Sequence, residues 1–231
     1  MYSNMTSVED GSSQGDAVRL TLAHLRQEYM RGGLRKEGMH PEPIRQFTIW
    51  FEQALAAGIT EPNAMVLATA DAQSRPSTRV VLLKEVTERG FTFFTNYESR
   101  KGRELAVNRQ ASVTFPWVAL ERQVCICGVV SKVSREVSEA YFRLRPRGSR
   151  IGAWVSRQSS VVSGRAELEA KAAELEKRYP SEDIPLPDYW GGYVLEPTEI
   201  EFWQGRPNRL HDRIRYLRAG DNKWNMERLS P

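Results

Sequence analysis

The sequence has few of the residues that build disulfide frameworks or metal centres. It contains 2 cysteines and 3 histidines among 231 residues, and the histidines are scattered. Cys125 and Cys127 are two residues apart in an apparent strand, so their side chains leave the same face in parallel. That geometry is poor for a disulfide between them. We therefore expect two reduced thiols, and the sequence gives no metal signal.

Long apolar runs and a strong charge of one sign are also missing. No apolar segment approaches the ~20 residues that span a membrane. The polar N-terminus lacks the apolar centre of a signal peptide. The net charge of +4, from 33 Lys and Arg against 29 Asp and Glu, is too small to argue for nucleic acid. We expect a cytoplasmic protein with a disordered tail over residues 1–16.

β-Branched and aromatic residues are concentrated in short segments. The turn-like sequences DAQSRP and TERG separate the first three segments, which predicts hairpins. Such close spacing favours an antiparallel sheet or barrel. The predicted strands are 64–70, 78–86, 90–96, 111–117, 122–133, 191–197, 199–205, 209–218 and 223–229.

Helical signals surround these strands. In one predicted helix, 43–57, an apolar stripe consists of Ile44, Phe47, Phe51 and Leu55. The other predicted helices are 17–30, a short one after Ser99, one from Ser134 to Leu144, and a charged one over 164–179. Neither a repeat nor a Gly/Ser linker occurs. The fold class predicted is mainly β with peripheral α-helices, as one domain over residues 17–231.

The segment RLHDR, residues 209–213, is the most informative cationic cluster. In a strand, Arg209, His211 and Arg213 share one face, because alternate side chains point the same way. These groups repel one another, with no carboxylate between them, unless an anion lies opposite. The pattern predicts an anion site; the alternative is a solvated edge strand.

A second cluster combines Tyr141, Arg145 and Ser149. Tyr141 and Arg145 are four residues apart and so share a helical face, and Ser149 follows after a Pro/Gly turn. A phenol, a guanidinium and a hydroxyl that converge make a reasonable phosphate clamp. An ordinary surface pair is the alternative.

A third cluster, Ser99-Arg100-Lys101, lies at a predicted helix start. Free backbone N–H groups and the helix dipole favour an anion there. A capped surface helix is the alternative.

In a fourth cluster, Arg79 and Lys84 bracket an apolar strand and project from opposite faces. One hypothesis is that these two cations bind two different ligands. The alternative is that both are strand-end residues whose charged groups extend into water.

Together these clusters supply more phosphate donors than one ligand needs. Two phosphorylated ligands side by side would account for them, one with a flat aromatic ring against Trp203, Gln123 and the apolar strands. Neither a Gly-rich dinucleotide fingerprint nor a P-loop is present in the sequence, so the cofactor need not be a dinucleotide or ATP.

Long ordered motifs from about His24 to Pro231 resemble the pyridoxine/pyridoxamine 5'-phosphate oxidase family. RLHDR together with GAWVSRQSS (152–160) is the most diagnostic pair. The other matching segments are HLRQEYMRGGL (24–34), RVVLLK (79–84), FFTNYESRKG (93–102), ERQV (121–124), YFRLRPRGSRI (141–151), PDYWGGY (187–193) and EFWQGRPN (201–208).

The resemblance implies a split β-barrel that binds FMN at the interface of a homodimer. It implies that the FMN phosphate is held by Arg79, Arg100, Lys101 and Ser159, with Gln158 alongside. The rest of the flavin would be surrounded by Val80, Val81, Leu82, Leu83, Phe94, Thr95, Gln123, Trp203 and Arg213. The substrate phosphate would be held by Tyr141, Arg145, Ser149 and Lys84, the last of which also belongs to the cofactor set. Arg209 and His211 would cover the pyridine ring as the catalytic pair, by orientation and electrostatics, and a segment with Arg26 and Tyr29 would close over it.

The implied reaction converts pyridoxine 5'-phosphate or pyridoxamine 5'-phosphate into pyridoxal 5'-phosphate. A hydride leaves C4' for flavin N5, and O2 reoxidises the flavin to give H2O2. This is the final step in making or salvaging the vitamin B6 cofactor.

Three rival hypotheses remain open. The chain could be another split-barrel flavin oxidoreductase, such as a flavin reductase or a haem-degrading relative. It could be a non-catalytic carrier of pyridoxal phosphate. A basic barrel that binds nucleic acid is the third, although the aromatic residues follow core-like strand patterns instead of forming an exposed stacking platform.

Overall fold

Strands form where β-branched and aromatic residues alternate with polar ones. The computed structural model describes residues 33–220 and 223–231. The strands of the described chain are β1 (Ala64–Ala70), β2 (Pro76–Leu82), β3 (Glu85–Thr87), β4 (Gly90–Asn96), β5 (Gln110–Trp117), β6 (Arg122–Lys132), β7 (Trp190–Gln204), β8 (Asp212–Arg218) and β9 (Trp224–Leu229). The helices are α1 (Pro43–Ala56), α2 (Arg100–Val107), α3 (Arg135–Leu144), α4 (Arg147–Val155) and α5 (Arg165–Arg178).

All nine strands join one antiparallel sheet that forms a half-barrel. The order is β2-β1-β5-β6-β7-β4-β3, and β8 pairs with both β7 and β9. Helix α1 packs against the sheet through Phe47, whose ring centroid lies 4.9 Å from those of Phe91 and Phe115. The predicted mainly β architecture with peripheral helices is confirmed. The division into a tail and one domain over 17–231 stays a prediction, and the helix expected at 17–30 lies outside the described residues.

Strand β7 pairs with two different strands along one of its edges. Its first half pairs with β4 and its second half with β8, while its other edge follows β6. The change of partner falls near Pro197, which has no N–H to donate, and the β6–β7 register shifts between Cys127 and Gly128. The two strands predicted at 191–197 and 199–205 are therefore one continuous strand.

The strand predicted over 209–218 begins three residues later than expected. Residues Pro207–Arg209 form a 3₁₀ turn, and Asn208 and Arg209 have φ of 56° and 61°. A left-handed backbone breaks the alternation of a strand, so β8 starts at Asp212. The prediction that Arg209, His211 and Arg213 line one strand face is therefore wrong.

Two helix predictions also need correction. The stripe of α1 is rotated: Trp50 and Ala54 are buried in the core, whereas Leu55 is 55% exposed. The segment after Pro146 is the helix α4, not a simple turn, so Ser149 is a helical residue. Proline fits this helix start because its fixed φ and missing N–H cost nothing there.

The strand that carries Arg79 is not buried between neighbours. It is β2, at the edge of the sheet, where Val80 is 65% exposed. Arg79 lies within it, and Lys84 follows its end.

No helix among the described residues is both long enough and apolar enough to cross a membrane.

Candidate functional site

A cavity of about 620 Å³ opens where β2, β4, α2, α3 and the loop after α4 meet. Its wall combines cations, hydroxyls, aliphatic side chains and aromatic rings. The lining residues are Ser77, Thr78, Arg79, Val80, Val81, Leu82, Lys84, Phe94, Thr95, Asn96, Arg100, Lys101, Tyr141, Arg145, Gln158, Ser159 and Trp190.

One end of this cavity, which we call the paired end, is built around a buried carboxylate. Glu104 on α2 accepts a hydrogen bond from Arg100 Nε at 2.8 Å and from Arg79 Nη2 at 3.3 Å. Ser77 Oγ donates to the same carboxylate at 2.6 Å, and Thr69 also donates to it. Two guanidiniums from different elements thus share one anion.

These hydrogen bonds keep Glu104 ionised. Burial by itself raises the pKa of this carboxyl group. The hydrogen bonds from Ser77, Thr69, Arg100 and Arg79 outweigh burial and lower the pKa of Glu104 to about 2. The carboxylate therefore carries its charge at any ordinary pH.

Lys101 adds a third cation at the paired end. Its Nζ donates to Gln158 Oε1 at 2.9 Å and to Thr95 Oγ1 at 3.1 Å. Burial and, to a smaller extent, the nearby Arg79 lower the pKa of Lys101 to about 8, against the opposing effect of Glu104. The ammonium is thus held ready for an anion but is less basic than an exposed lysine.

The start of α2 positions Arg100 and Lys101. Ser99 caps the helix as predicted, and its Oγ accepts from the N–H of Gly102 at 3.3 Å. A Cβ at Gly102 would lie 2.1 Å from the carbonyl oxygen of Tyr97, so only glycine allows this close approach. Across the cavity, Ser159 Oγ accepts from the backbone N–H of Arg100 at 3.1 Å.

The other end, which we call the aromatic end, has a different construction. Phe94 and Tyr141 stack with centroids 3.9 Å apart, and Trp190 is nearly parallel to both. The guanidinium of Arg145 lies 4.6 Å from the Trp190 centroid. Lys84 Nζ lies 6.0 Å from the centroid of Tyr141.

Arg145 at the aromatic end forms no ion pair with a carboxylate of the described residues. Its Nη1 is buried, and no hydrogen-bond partner for this atom occurs in the described part of the chain. Burial lowers the pKa of Arg145. An unpaired buried donor is costly, so this nitrogen points to an acceptor that residues 33–220 and 223–231 do not provide.

The cavity brings together thirteen of the residues predicted from the sequence. These are Arg79, Val80, Val81, Leu82, Lys84, Phe94, Thr95, Arg100, Lys101, Tyr141, Arg145, Gln158 and Ser159. Leu83 is instead buried in the core, and Ser149 is exposed on α4. Arg26 and Tyr29 lie outside the described residues.

A second group of predicted residues does not line this cavity. Gln123 and Trp203 are directly paired across β6 and β7, and Trp203 is paired with Arg213 across β7 and β8. The His211 ring lies 4.7 Å from Trp203, and Arg209 is exposed in its turn. We call Gln123, Trp203, Arg209, His211 and Arg213 the C-terminal group.

Arg213 differs from the expectation in one respect. Its guanidinium donates to both oxygens of Glu201, at 2.8 and 2.9 Å. The sequence prediction overlooked this carboxylate because it considered only the segment 209–213, whereas Glu201 belongs to the neighbouring strand.

The sequence prediction missed five site residues: Ser77, Thr78, Asn96 and Trp190 of the lining, and Glu104 behind it. Glu104 follows Arg100 by four residues, a helical spacing that could have indicated an ion pair. Ser77 precedes Arg79 by two residues and therefore points to the same side of β2. Trp190 gives no signal of its own, because its place beside Arg145 depends on tertiary packing.

Comparison with known proteins assigns the family. Residues 51–179 match the pyridoxamine 5'-phosphate oxidase family, and residues 190–231 match the pyridoxine 5'-phosphate oxidase C-terminal dimerisation region. The pyridoxine/pyridoxamine 5'-phosphate oxidase of Rubrobacter xylanophilus is 54% identical over 216 residues, which cover 94% of this chain and 99% of that protein.

Solved structures agree with this result. PhzG from Burkholderia lata, solved in complex with tetrahydrophenazine-1-carboxylic acid, is 35% identical, with a TM-score of 0.80 over 84% of this chain and 95% of that one. A pyridoxamine 5'-phosphate oxidase-related, FMN-binding protein from Nostoc punctiforme shares the fold, with a TM-score of 0.67 at 16% identity over 84% of this chain and all of that one. The half-barrel is therefore the FMN-binding split barrel, and this chain belongs to the pyridoxine/pyridoxamine 5'-phosphate oxidase family of enzymes.

Proposed function

We propose that the protein is an FMN-dependent oxidase that converts pyridoxine 5'-phosphate or pyridoxamine 5'-phosphate into pyridoxal 5'-phosphate. The observation that carries the proposal is one cavity with cations at two ends and an apolar and aromatic wall. Two phosphorylated ring compounds that must react with each other fit such a cavity, because each phosphate fixes one molecule and the rings meet between them.

The paired end suits the FMN phosphate. Arg79, Arg100 and Lys101 carry three positive charges against the one negative charge of Glu104, which leaves two. A phosphate monoester carries close to two negative charges at neutral pH. Ser159 and Gln158 also line the cavity and provide further hydrogen-bonding groups.

The aromatic end suits the substrate phosphate. The buried Nη1 of Arg145 supplies a donor that has no acceptor among the described residues, and Lys84 and Tyr141 line the same cavity. Ser149, as the sequence predicts, would join them only if the start of α4 turns toward the ligand. Arginine recognises a phosphate with paired, charge-assisted hydrogen bonds.

Bound FMN would supply the redox chemistry, as the acceptor of a hydride from C4' of the substrate and the donor of two electrons to O2, which would give H2O2. The apolar side chains of the cavity shape the space around the two rings. The aliphatic residues from Val80 to Leu82 and the ring of Phe94 line the cavity and would exclude water once the ligand rings cover them. Exclusion of water strengthens the charge–charge contacts at both phosphates.

The C-terminal group belongs, in our proposal, to the site of the other protomer. Four of its five residues lie within the segment that matches a dimerisation region. In a homodimer, Trp203, Arg213, His211 and Arg209 of one protomer, with Gln123, would complete the cavity of its partner. Arg209 and His211 would then orient the pyridine ring, and Arg213, steadied by Glu201, would favour negative charge on the reduced flavin.

The function is tested with purified protein loaded with FMN. We expect a flavin absorbance spectrum, bleaching by pyridoxine 5'-phosphate without oxygen, and peroxide release from either substrate in air. Binding of pyridoxal 5'-phosphate without bleaching would identify a carrier instead. Bleaching by a nicotinamide cofactor but by neither substrate would identify a different flavin oxidoreductase.

A mixed dimer tests the shared site. Arg79→Ala damages the cavity side and Trp203→Ala damages the C-terminal group, so each homodimer should be nearly inactive. A heterodimer of the two variants has one site with both lesions and one intact site. We expect about half of the wild-type activity per heterodimer after the variants are co-expressed and separated by different tags. Activity no higher than in the homodimers would show that each site is built from a single chain.

A further inference from the structure

Glu104 stands out because it lies behind the cavity without lining it. Only 6% of its side chain is exposed, yet it contacts the two arginines of the paired end. A buried carboxylate beside an anion site is unexpected if it only repels the ligand. Its contacts suggest a different role.

We propose that Glu104 is a positioning residue that sets the guanidiniums of Arg79 and Arg100 for a phosphate monoester. The proposal rests on the proposed function, because it takes the FMN phosphate as the ligand of the paired end. One carboxylate oxygen accepts from Arg100 and the other from Arg79, so Glu104 fixes the relative placement of groups from α2 and β2.

The two arginines need this support to different degrees. Arg79 is held additionally by Ser77 Oγ and by the carbonyl oxygen of Leu67, and its side chain is only 19% exposed. The Arg100 side chain is 59% exposed, and Glu104 is its single side-chain partner within the described residues. Arg100 should therefore lose its fixed orientation first if the carboxylate is removed.

Glu104 also offsets repulsion within the cluster. Arg79, Arg100 and Lys101 bring three cations into one small region, and without an internal anion they would separate before a ligand arrives. Ser77 and Thr69 donate to the carboxylate and hold it in turn. The two guanidiniums are therefore oriented before the ligand binds. This lowers the entropy cost of ordering their side chains when the phosphate binds.

The test compares FMN with riboflavin, which lacks the phosphate. Glu104→Gln keeps the shape of the side chain and removes its charge. Dissociation constants are measured by flavin fluorescence on the apoprotein at one fixed salt concentration. We expect FMN affinity to fall about 10- to 100-fold, the effect of losing a hydrogen bond to a charged group, while riboflavin affinity stays unchanged. Glu98→Gln, at an exposed carboxylate just before α2, is the matched control and should change neither affinity.

Each outcome decides something. FMN affinity that is unchanged or tighter in Glu104→Gln would overturn the proposal, since Glu104 would then act only by repulsion. Equal losses for FMN and riboflavin would also overturn it, because the residue would merely support the fold. If Glu104→Gln does not fold by circular dichroism, Thr69→Val replaces it, because Thr69 donates to Glu104 but does not line the cavity; a loss confined to FMN supports the proposal and no such loss refutes it. A wild-type protein that binds both flavins equally would count instead against the proposed function.

Discussion

The two ends of the cavity hold their cations in opposite ways. At the paired end, Arg79 and Arg100 share the buried Glu104, so the charges are balanced and oriented by the protein. At the aromatic end, Arg145 stacks on Trp190 and keeps a buried nitrogen for which the described part of the chain offers no partner. The first arrangement suits a ligand that stays bound through many turnovers. The second suits one that must enter and leave, because the arginine gains its acceptor only from the ligand.

Because of this difference, substitutions at the two ends should affect protein stability and ligand affinity differently. Breaking the paired end removes hydrogen bonds that the folded protein already makes, so it should affect both folding and cofactor affinity. Removing the charge at the aromatic end takes away a buried group that lacks a carboxylate, so it should affect substrate binding alone. Three variants test this contrast, in order of decreasing effect.

The largest effect is expected from Arg145→Met. Methionine retains packing against Trp190 but provides no donor, so KM for pyridoxamine 5'-phosphate should rise about 100-fold, in line with the loss of charge-assisted hydrogen bonds. FMN affinity and the free energy of unfolding should not fall. Arg143→Met, at an exposed arginine in the last turn of α3, just before the non-helical Arg145, is the control for steady-state kinetics. An FMN affinity that falls together with substrate affinity would mean that the two ends are not independent.

The next effect concerns Lys101 and pH. A phosphate favours the charged ammonium, so bound FMN should raise the pKa of Lys101 above its value of about 8 in the free protein. FMN affinity should then fall as pH rises from 8 to 9, by at most about tenfold per pH unit. Fluorescence titrations over this range measure it, and Lys101→Met should remove the slope. A slope that persists in the variant would assign the titration to another group.

Lys101 also affects the stability of the apoprotein, with a definite sign. Its pKa is lower in the folded chain than the ordinary value of 10.5, so the unfolded chain binds more protons between pH 8 and 10.5. The destabilising contribution of the buried ammonium is complete below pH 8 and is relieved as pH rises through that range. The free energies of unfolding of the wild type and of Lys101→Met, measured with urea, should therefore differ least near pH 10.5.

The smallest effect is expected from the helix cap at the paired end. Ser99→Ala removes the acceptor for the N–H of Gly102 and should lower the free energy of unfolding by about 1 kcal/mol. Because Arg100 and Lys101 lie in the same turn, FMN affinity should fall about fivefold as well. Ser134→Ala removes the equivalent cap of α3, where Ser134 accepts from Val137 at 3.4 Å, and should lower stability only. Equal FMN affinities in the two variants would show that the cap does not position the cations.

Local patterns predicted most of the fold. Strands β1 and β4 have their predicted bounds, and the caps at Ser99 and Ser134 are confirmed, because alternation and capping are local properties. The turn at Asn208 and Arg209 was missed, since a left-handed backbone at residues other than glycine has no reliable local signal. The continuity of β7 was missed because Pro197 and Thr198 look like a break, whereas the partners on both sides hold the strand together.

The site was predicted less completely than the fold, for a physical reason. Cationic residues are easy to identify in a sequence, but their partners come from other elements: Glu201 for Arg213, Trp190 for Arg145 and Glu104 for Arg79. The resemblance to a family predicted which residues from separate segments share a ligand, and no single segment contains that information. The C-terminal group remains a prediction in its role, since its proposed place is in the site of the other protomer.

The most direct test of two phosphates at two ends compares substrates with and without a phosphate. FMN-loaded protein is mixed without oxygen with pyridoxamine 5'-phosphate or with pyridoxamine, and the flavin absorbance is followed over a range of concentrations. We predict that bleaching by the phosphorylated amine saturates at a concentration at least about 100-fold lower, and that Arg145→Met abolishes this preference. Equal bleaching by both amines, or a preference that survives in Arg145→Met, would contradict the account.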